Sequence, residues 1–229
     1  MTVLTGELIA QYRRLDGASV SNAIEQFGVR LRNEGFADGS LRCLTAALPP
    51  VVGHAVTARI KCSSPPAVGH SYNDRTDWWN FIASVPSPRI IVVQDVDEQP
   101  GLGAWVGDVH TAILKALGCV AYVTNGSVRD VGAARETGVQ FFASHVAVSH
   151  AFAHLLDFGG PVEIGGLGIA TGDLLFGDDA GVLSVPASIA DQVPRAAEEI
   201  RMKEEQVIAF CRSARFSIEG LRELVRDLG

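Results

Sequence analysis

Between Arg89 and Ser144 the hydrophobic pattern alternates between two periods, and this alternation constrains the fold more than any other feature. Arg89 to Val96 reads RIIVVQDV, a short apolar run typical of a strand buried on both faces. Gln99 to Val106 is a glycine-containing loop. Val109 to Leu117 then sets Ile113, Leu114 and Leu117 on one helical face, with Gly118 as the stop. Cys119 to Thr124 predicts a second strand, Asn125 to Asp130 a turn, Val131 to Thr137 a short helix and Val139 to Ser144 a third strand. Strands alternating with helices in this way predict an α/β fold.

The flanks are less regular. Residues 17 to 28 predict a helix capped by Ser19 or Ser21, with Ala23, Ile24 and Phe27 inward and Gly28 as the stop. Asn33 to Ser40 is a loop. Val51 to Cys62 predicts a strand, with Gly53 as a candidate bulge. Ser63 to Gly69 (SSPPAVG) is a loop, and Asp77 to Ser84 a short helix that ends before Pro86. Val162 to Ile164, Leu167 to Ala170, Leu174 to Phe176 and Gly181 to Val185 suggest a β-rich unit of short strands. A helix from Ser188 to about Cys211 follows. No repeat is present. The reading is a single domain over 1–229, with 188–229 a C-terminal helical extension.

Composition narrows the function. A chain of 229 residues with 47% hydrophobic and 20% charged residues buries a sizeable core, which excludes disorder as its main description. A net charge of -7 argues against a nucleic-acid partner, which needs a basic face. A small anion needs only one well-placed arginine. Cys43, Cys62, Cys119 and Cys211 form no CxxC pair and no zinc-type spacing, so they are expected to be reduced and mostly buried. Met1 to Ala10 shows no signal-peptide pattern. The longest uncharged stretch, Thr137 to Leu156, contains His145, His150, His154 and Gln140 and makes a poor membrane span. The expectation is a soluble, cytoplasmic protein with no membrane association.

Chemistry concentrates at Asn125-Gly126-Ser127-Val128-Arg129-Asp130, where a strand hands over to a helix. Arg129 can fork a carboxylate. Asp130 can hold Mg²⁺ or Mn²⁺, hard cations content with one or two carboxylates and several waters. The plain alternative is an Asp130 N-cap beside a solvated arginine. Gly107-Asp108 opens the preceding helix. Asp108 can cap it, while the amides of Val109 and His110 receive an anion. His150 and His154 stand four apart, a metal pair if helical. Gly101-x-Gly103 lacks a third glycine, and neither G-x-S-x-G nor a P-loop occurs. Asp178-Asp179 suits a structural turn, Trp78-Trp79 packing, and Glu198, Glu199, Glu204 and Glu205 a solvated helix face, one of which could reach a neighbouring subunit.

Taken together, Gly107-Asp108, Asn125 to Asp130, Val162-Glu163-Ile164-Gly165-Gly166 and the run Gly172 to Pro186 (GDLLFGDDAGVLSVP) resemble the RraA-like family. Ser19 to Gly28 and Val52 to Ala58 add to the likeness, which runs from about residue 17 to 205. That family includes 4-hydroxy-4-methyl-2-oxoglutarate aldolases with oxaloacetate decarboxylase activity, and regulators of ribonuclease E. The resemblance implies an α/β/β/α sandwich, assembled as a homotrimer or hexamer, with the site near a subunit interface. It implies a metal-anchoring role for Asp130, binding of the substrate's oxo group by Arg129 and a catalytic acidic role for Asp108. The substrate carboxylate would lie at Gly107 and the amides of Val109 and His110. A neighbour's Glu199, Glu204 or Glu205 would complete the site. The substrate would be a small 2-oxo acid and the cofactor Mg²⁺ or Mn²⁺. The alternative implied is a non-catalytic regulator that binds an RNA-degrading enzyme. The chain departs from the family at Asn22, at Thr171 and across Cys62 to Asp77. Some members carry a methyltransferase name, but no glycine-rich S-adenosylmethionine loop is present.

Overall fold

In the computed structural model, which describes residues 3–66 and 71–228, two helices open the chain. α1 spans Gly6–Tyr12 and α2 spans Gly17–Gln26. The cap of α2 is Asp16 rather than Ser19 or Ser21. Its carboxylate accepts the Ser19 N–H at 2.8 Å and the Ser19 hydroxyl at 3.0 Å. A carboxylate brings a full charge to the positive helix end, which a hydroxyl does not. Gly28, at φ +60°, follows the helix as expected.

The strand–helix alternation is borne out. After β1 (Arg42–Cys43) come β2 (Val51–Lys61), α3 (Ser71–Ser84), β3 (Arg89–Asp95), β4 (Ala104–Val106), α4 (Asp108–Ala116), β5 (Cys119–Val128), α5 (Val131–Thr137) and β6 (Gln140–Val146). β2, β3, β5 and β6 pair in parallel, and β4 lies parallel to the end of β5. β7 (His154–Phe158) pairs antiparallel with the second half of β2. After β8 (Val162–Ile164) and β9 (Leu167–Ile169), β10 (Leu174–Asp178) pairs with the first half of β2 and β11 (Gly181–Val185) with β10. The nine-stranded sheet runs β1-β6-β5-β3-β2-β10-β11, with β4 on β5 and β7 on β2. α6 (Val193–Cys211) and α7 (Ile218–Leu228) close the chain.

Several expectations change. The short strands from Val162 to Val185 are not one unit: β8 and β9 form their own hairpin, while β10 and β11 extend the main sheet. Gly53 is not a bulge, because β2 keeps register there and shifts at Arg59/Ile60. A Cβ at Gly53 would stand 2.7 Å from the Pro88 carbonyl oxygen, so glycine permits a close backbone approach. The loop Gln99 to Val106 contains β4. The turn expected at Asn125 is strand, because β4 gives the end of β5 a second partner. α3 starts at Ser71, ahead of the Asp77 expected. The expected loop Ser63 to Gly69 lies partly outside the described residues, which stop at 66 and resume at 71. Cys211 is exposed and Cys43 half-buried, while Cys62 and Cys119 are buried; none is in a disulfide.

Three apolar clusters define the layers. On one face, Val56, Ile91, Val93 and Tyr122 pack with Trp78, Ile82 and Leu114 of α3 and α4. On the opposite face Ala55, Ile90, Val92, Ala121 and Phe142 meet Leu175, Val182 and the β8–β9 hairpin. Beyond that second layer, Phe176, Leu183 and Val185 pack against α1, α2 and α6. The sheet thus folds back over its own interior between two helical layers, the α/β/β/α arrangement expected. Two sequence readings also hold. Trp78 is core, and Asp178 is a buried structural pin whose carboxylate accepts the Gly17 N–H at 2.6 Å and the Ala180 N–H at 3.0 Å.

Candidate functional site

Two strand-to-helix junctions lie side by side because β4 and β5 are parallel neighbours. β4 ends at Val106 and hands over through Gly107 to α4. β5 ends at Val128 and hands over through Arg129 and Asp130 to α5. The Arg129 N–H donates to the Val106 carbonyl at 3.2 Å, which ties the junctions together.

The side chains then converge. Asp130 Oδ2 accepts the Asp108 N–H at 3.2 Å and stands 3.4 Å from Arg129 Nε. A Cβ on Gly107 would lie 2.6 Å from Asp130 Oδ2 and 2.8 Å from Arg129 Nε, so a side chain there would push both groups away. The Arg129 and Asp130 side chains are 37% and 43% exposed, open to a ligand from solvent. The Thr111 hydroxyl donates to the Gly107 carbonyl at 2.6 Å and secures the junction from below. Trp105 and His110 rings lie 5.5 Å apart beside it.

Asp130 is not an N-cap of the ordinary kind. It precedes α5 with φ 53° and ψ 42°, and its carboxylate makes no hydrogen bond to its own helix. A non-glycine residue pays about 1–2 kcal/mol in that region. Such strain gathers where surrounding structure holds a side chain for a purpose. Asp130→Gly is therefore expected to be more stable than Asp130→Ala by about 1 kcal/mol in urea unfolding, since only glycine escapes the penalty. Equal stabilities would remove the strain from the account.

Other predicted residues fall elsewhere. The Val109 amide, expected to meet a substrate carboxylate, donates to Asp108 Oδ1 at 2.7 Å, because an aspartate at the first helical position reaches the next N–H. The Val109 side chain is 67% exposed. Asn125 is structural: it accepts the Asp95 N–H at 2.8 Å and donates to the Asp95 carbonyl at 2.9 Å, replacing backbone pairing between β3 and β5. The Ser127 hydroxyl donates to Gly101 O at 2.6 Å. His150 and His154 share no helix; His154 opens β7 and is buried, which ends the metal-pair reading. Glu199 pairs with Arg195, and Glu198 and Glu205 with Arg201, on α6, in the layer with α1 and α2. Thr171 sits 2.6 Å from the Thr57 hydroxyl.

One group escaped the sequence reading. Cys62, Asp95 and Asp97 are all buried, and one ligand atom of each lies within 4.8 Å of the others. Asp95 and Asp97 stand two apart at the end of an apolar run, a spacing that puts both on one face of a strand, and this was the available signal.

Comparison with known proteins settles the family. A family model described as RraA-like, Aldolase/RraA, matches residues 17–184. The chain belongs to the RraA-like family. A protein of Halalkalibacterium halodurans named "Putative 4-hydroxy-4-methyl-2-oxoglutarate aldolase" is 23% identical over 206 residues, covering 87% of this chain and 86% of that one. Protein DlpA of Legionella pneumophila is 31% identical over 132 residues, 56% of this chain but 21% of DlpA, so this chain matches only a fraction of that relative's length. Among solved structures, RraAS2 of Streptomyces coelicolor, an unusual member of the RNase ES inhibitor RraA protein family, superposes with a TM-score of 0.68 at 24% identity, covering 90% of this chain and 97% of that one. That likeness shows the fold. The RraA-like family holds both aldolase and regulator members. Among the described residues, no helix is long and apolar enough to cross a membrane.

Proposed function

We propose that the chain is a divalent-metal-dependent carbon–carbon lyase acting on a small 2-oxo acid. It would be a 4-hydroxy-4-methyl-2-oxoglutarate-type aldolase, an oxaloacetate decarboxylase, or both. One observation carries the reading: Arg129, a strained Asp130 and the start of α4 at Asp108 meet over Gly107, where no side chain intervenes.

The donors fit a hard cation. Asp130 offers an exposed carboxylate with Asp108 close by, an all-oxygen set suited to Mg²⁺ or Mn²⁺ retaining several waters. Such an ion supplies Lewis-acid stabilisation of the negative charge that develops on the substrate's oxo oxygen. The residues do the rest. Asp130 holds the ion. The Arg129 guanidinium donates to the oxo oxygen and stabilises charge developing there. Gly107 leaves room for the substrate. Its carboxylate reaches the start of α4 by displacing Asp108 from the Val109 amide, which frees Asp108 to act on a proton. Retro-aldol cleavage between C3 and C4 and loss of a β-carboxylate both leave a pyruvate enolate, so one site serves both. The aldol route also needs a base for the C4 hydroxyl proton, a role for Asp108 through water or for a neighbour's Glu199, Glu204 or Glu205. The active form in this reading is a homotrimer or hexamer in the cytoplasm.

Pyruvate release coupled to lactate dehydrogenase tests the reading, with oxaloacetate and 4-hydroxy-4-methyl-2-oxoglutarate each supplied in turn. Turnover above the spontaneous rate with either substrate supports it, and the preferred one separates aldolase from decarboxylase. No turnover, together with capture of an RNA-degrading enzyme, would replace it with the regulator reading.

A further inference from the structure

The C-terminal hairpin leaves the body of the molecule. α6 is buried only through its first turns, at Val193, Pro194, Ala196 and Ala197, in the layer with α1 and α2. From Arg201 to Cys211, a length of about 16 Å, none of its residues is buried. α7 has no buried residue at all. It runs back along α6. The Lys203 ammonium donates to the Leu228 carbonyl at 2.6 Å, and the Phe210 and Phe216 rings lie 6.0 Å apart at the turn. A Cβ at Gly220 would stand 2.7 Å from Phe210 Cζ, so glycine lets the two helices close up. Leu221, Leu224 and Leu228 are half-buried. A helix of 11 residues with so little cover is marginal in water.

The side chains left uncovered form two matching edges. On α7, Ile218 and Val225 are 59% and 52% exposed and stand seven residues apart, two turns along one edge. Arg222 and Arg226 follow Ile218 at four-residue steps and border that edge. On α6, Glu204 and Ile208 stand four apart, and Ile208 is 47% exposed. Among the described residues, no ion pair involves Glu204, Arg222 or Arg226, whereas Arg195, Glu198, Glu199, Arg201 and Glu205 pair within α6. One edge is apolar with arginines beside it. The other is apolar with a glutamate beside it.

Charge selects the occupant. Residues 193–229 hold seven Lys and Arg and seven Asp and Glu, so the net charge of -7 resides entirely in the rest of the chain. Two bodies of this chain repel, and the neutral hairpin is where they can approach. A surface of net zero charge with both signs interspersed offers little to a strongly basic or acidic partner, but it complements a copy of itself.

We propose that the α6–α7 hairpin docks a second copy of this chain about a two-fold axis. The two hairpins form a four-helix bundle in which Arg222 and Arg226 of each copy face Glu204 of the other, and Ile218 and Val225 cover Ile208 of the other. Both helices lie beyond residues 17–184, the extent of the family match, so this surface is additional to the matched region. The inference goes beyond the lyase reading. It commits Glu204 to an ion pair and leaves Glu199 or Glu205 as the base a neighbour could supply there.

The mass of the full chain in solution, from light scattering on a sizing column, tests it. The wild type is expected at an even multiple of 24.3 kDa. Arg222→Glu with Arg226→Glu halves that mass, as does Ile218→Asp. Adding Glu204→Arg to the double arginine variant restores it, which a merely structural loss would not allow. These side chains are exposed, so the body stays folded, with circular dichroism as the control. An odd multiple in the wild type, an unchanged mass in the reversed variants, or a halved mass that Glu204→Arg does not restore would each overturn the pairing. Pyruvate release plays no part in this readout, so its failure and the failure of the lyase reading are told apart.

Discussion

On the lyase proposal, replacing Arg129 or Asp130 by alanine is expected to lower kcat/KM for pyruvate release by two or more orders of magnitude while the chain stays folded. The two parts have separate reasons. Both side chains are substantially exposed and their ion pair spans 3.4 Å. Exposed pairs contribute at most about 1 kcal/mol, so neither variant unfolds on losing it. Arg129 in the proposed mechanism meets charge that exists only as the bond breaks. Losing one such donor costs about 10²–10³ in rate. Asp130 is the only side chain proposed to anchor the metal, so its loss removes the ion's contribution entirely. Arg129→Lys should not restore the rate, because an ammonium lacks the planar fork. Steady-state kinetics with circular dichroism as a folding control measures both parts, and near-normal turnover in either alanine variant contradicts the assignment.

Trp78→Ala is expected to cost about 3–5 kcal/mol of stability. Trp78 is 2% exposed, and its ring centroid lies 6.2, 6.1 and 5.6 Å from those of Phe81, Trp105 and Phe158. Removing it empties the centre of a four-ring cluster between α3, β4 and β7. At about 2–4 °C per kcal/mol for a chain of this size, Tm falls by roughly 10 °C. The consequence reaches the site, because Trp105 belongs to β4, whose last residue precedes Gly107. Trp78→Phe keeps most of the volume and should recover most of the loss. Thermal unfolding followed by circular dichroism checks this, and a fall of a degree or two would show that the cluster contributes little.

Much of the fold was legible because periodicity reports burial. RIIVVQDV could hardly be other than a buried strand, and Val131–Thr137 forms the helix its boundaries indicated. What failed was decided by contacts distant in sequence. β4 is three residues long and exists because β5 runs beside it. β10 and β11 look like the neighbours of β8 and β9, yet they complete the sheet beside β2. The cap of α2 went to Asp16 because the helix starts at Gly17, which puts Ser19 inside the first turn with both its N–H and its hydroxyl donating to the Asp16 carboxylate.

The motif from Asn125 to Asp130 divides on inspection of its bonds. Asn125 and Ser127 build the scaffold, and Arg129 and Asp130 face the junction at Gly107. No spacing rule distinguishes those halves, because all six residues lie within one strand end and the turn beyond it. The Cys62 group was missed for the same physical reason: Cys62 and Asp95 are far apart in sequence and meet only through the pairing of β2 with β3.

The most direct test of the central claim is oxaloacetate decarboxylation by the wild-type chain after treatment with excess EDTA, followed by restoration of Mg²⁺ or Mn²⁺, with Asp130→Ala treated identically. Activity above the spontaneous rate is expected to disappear with EDTA and to return with either ion in the wild type, but not in Asp130→Ala. Wild-type turnover that ignores EDTA, or full recovery in Asp130→Ala, would contradict the claim.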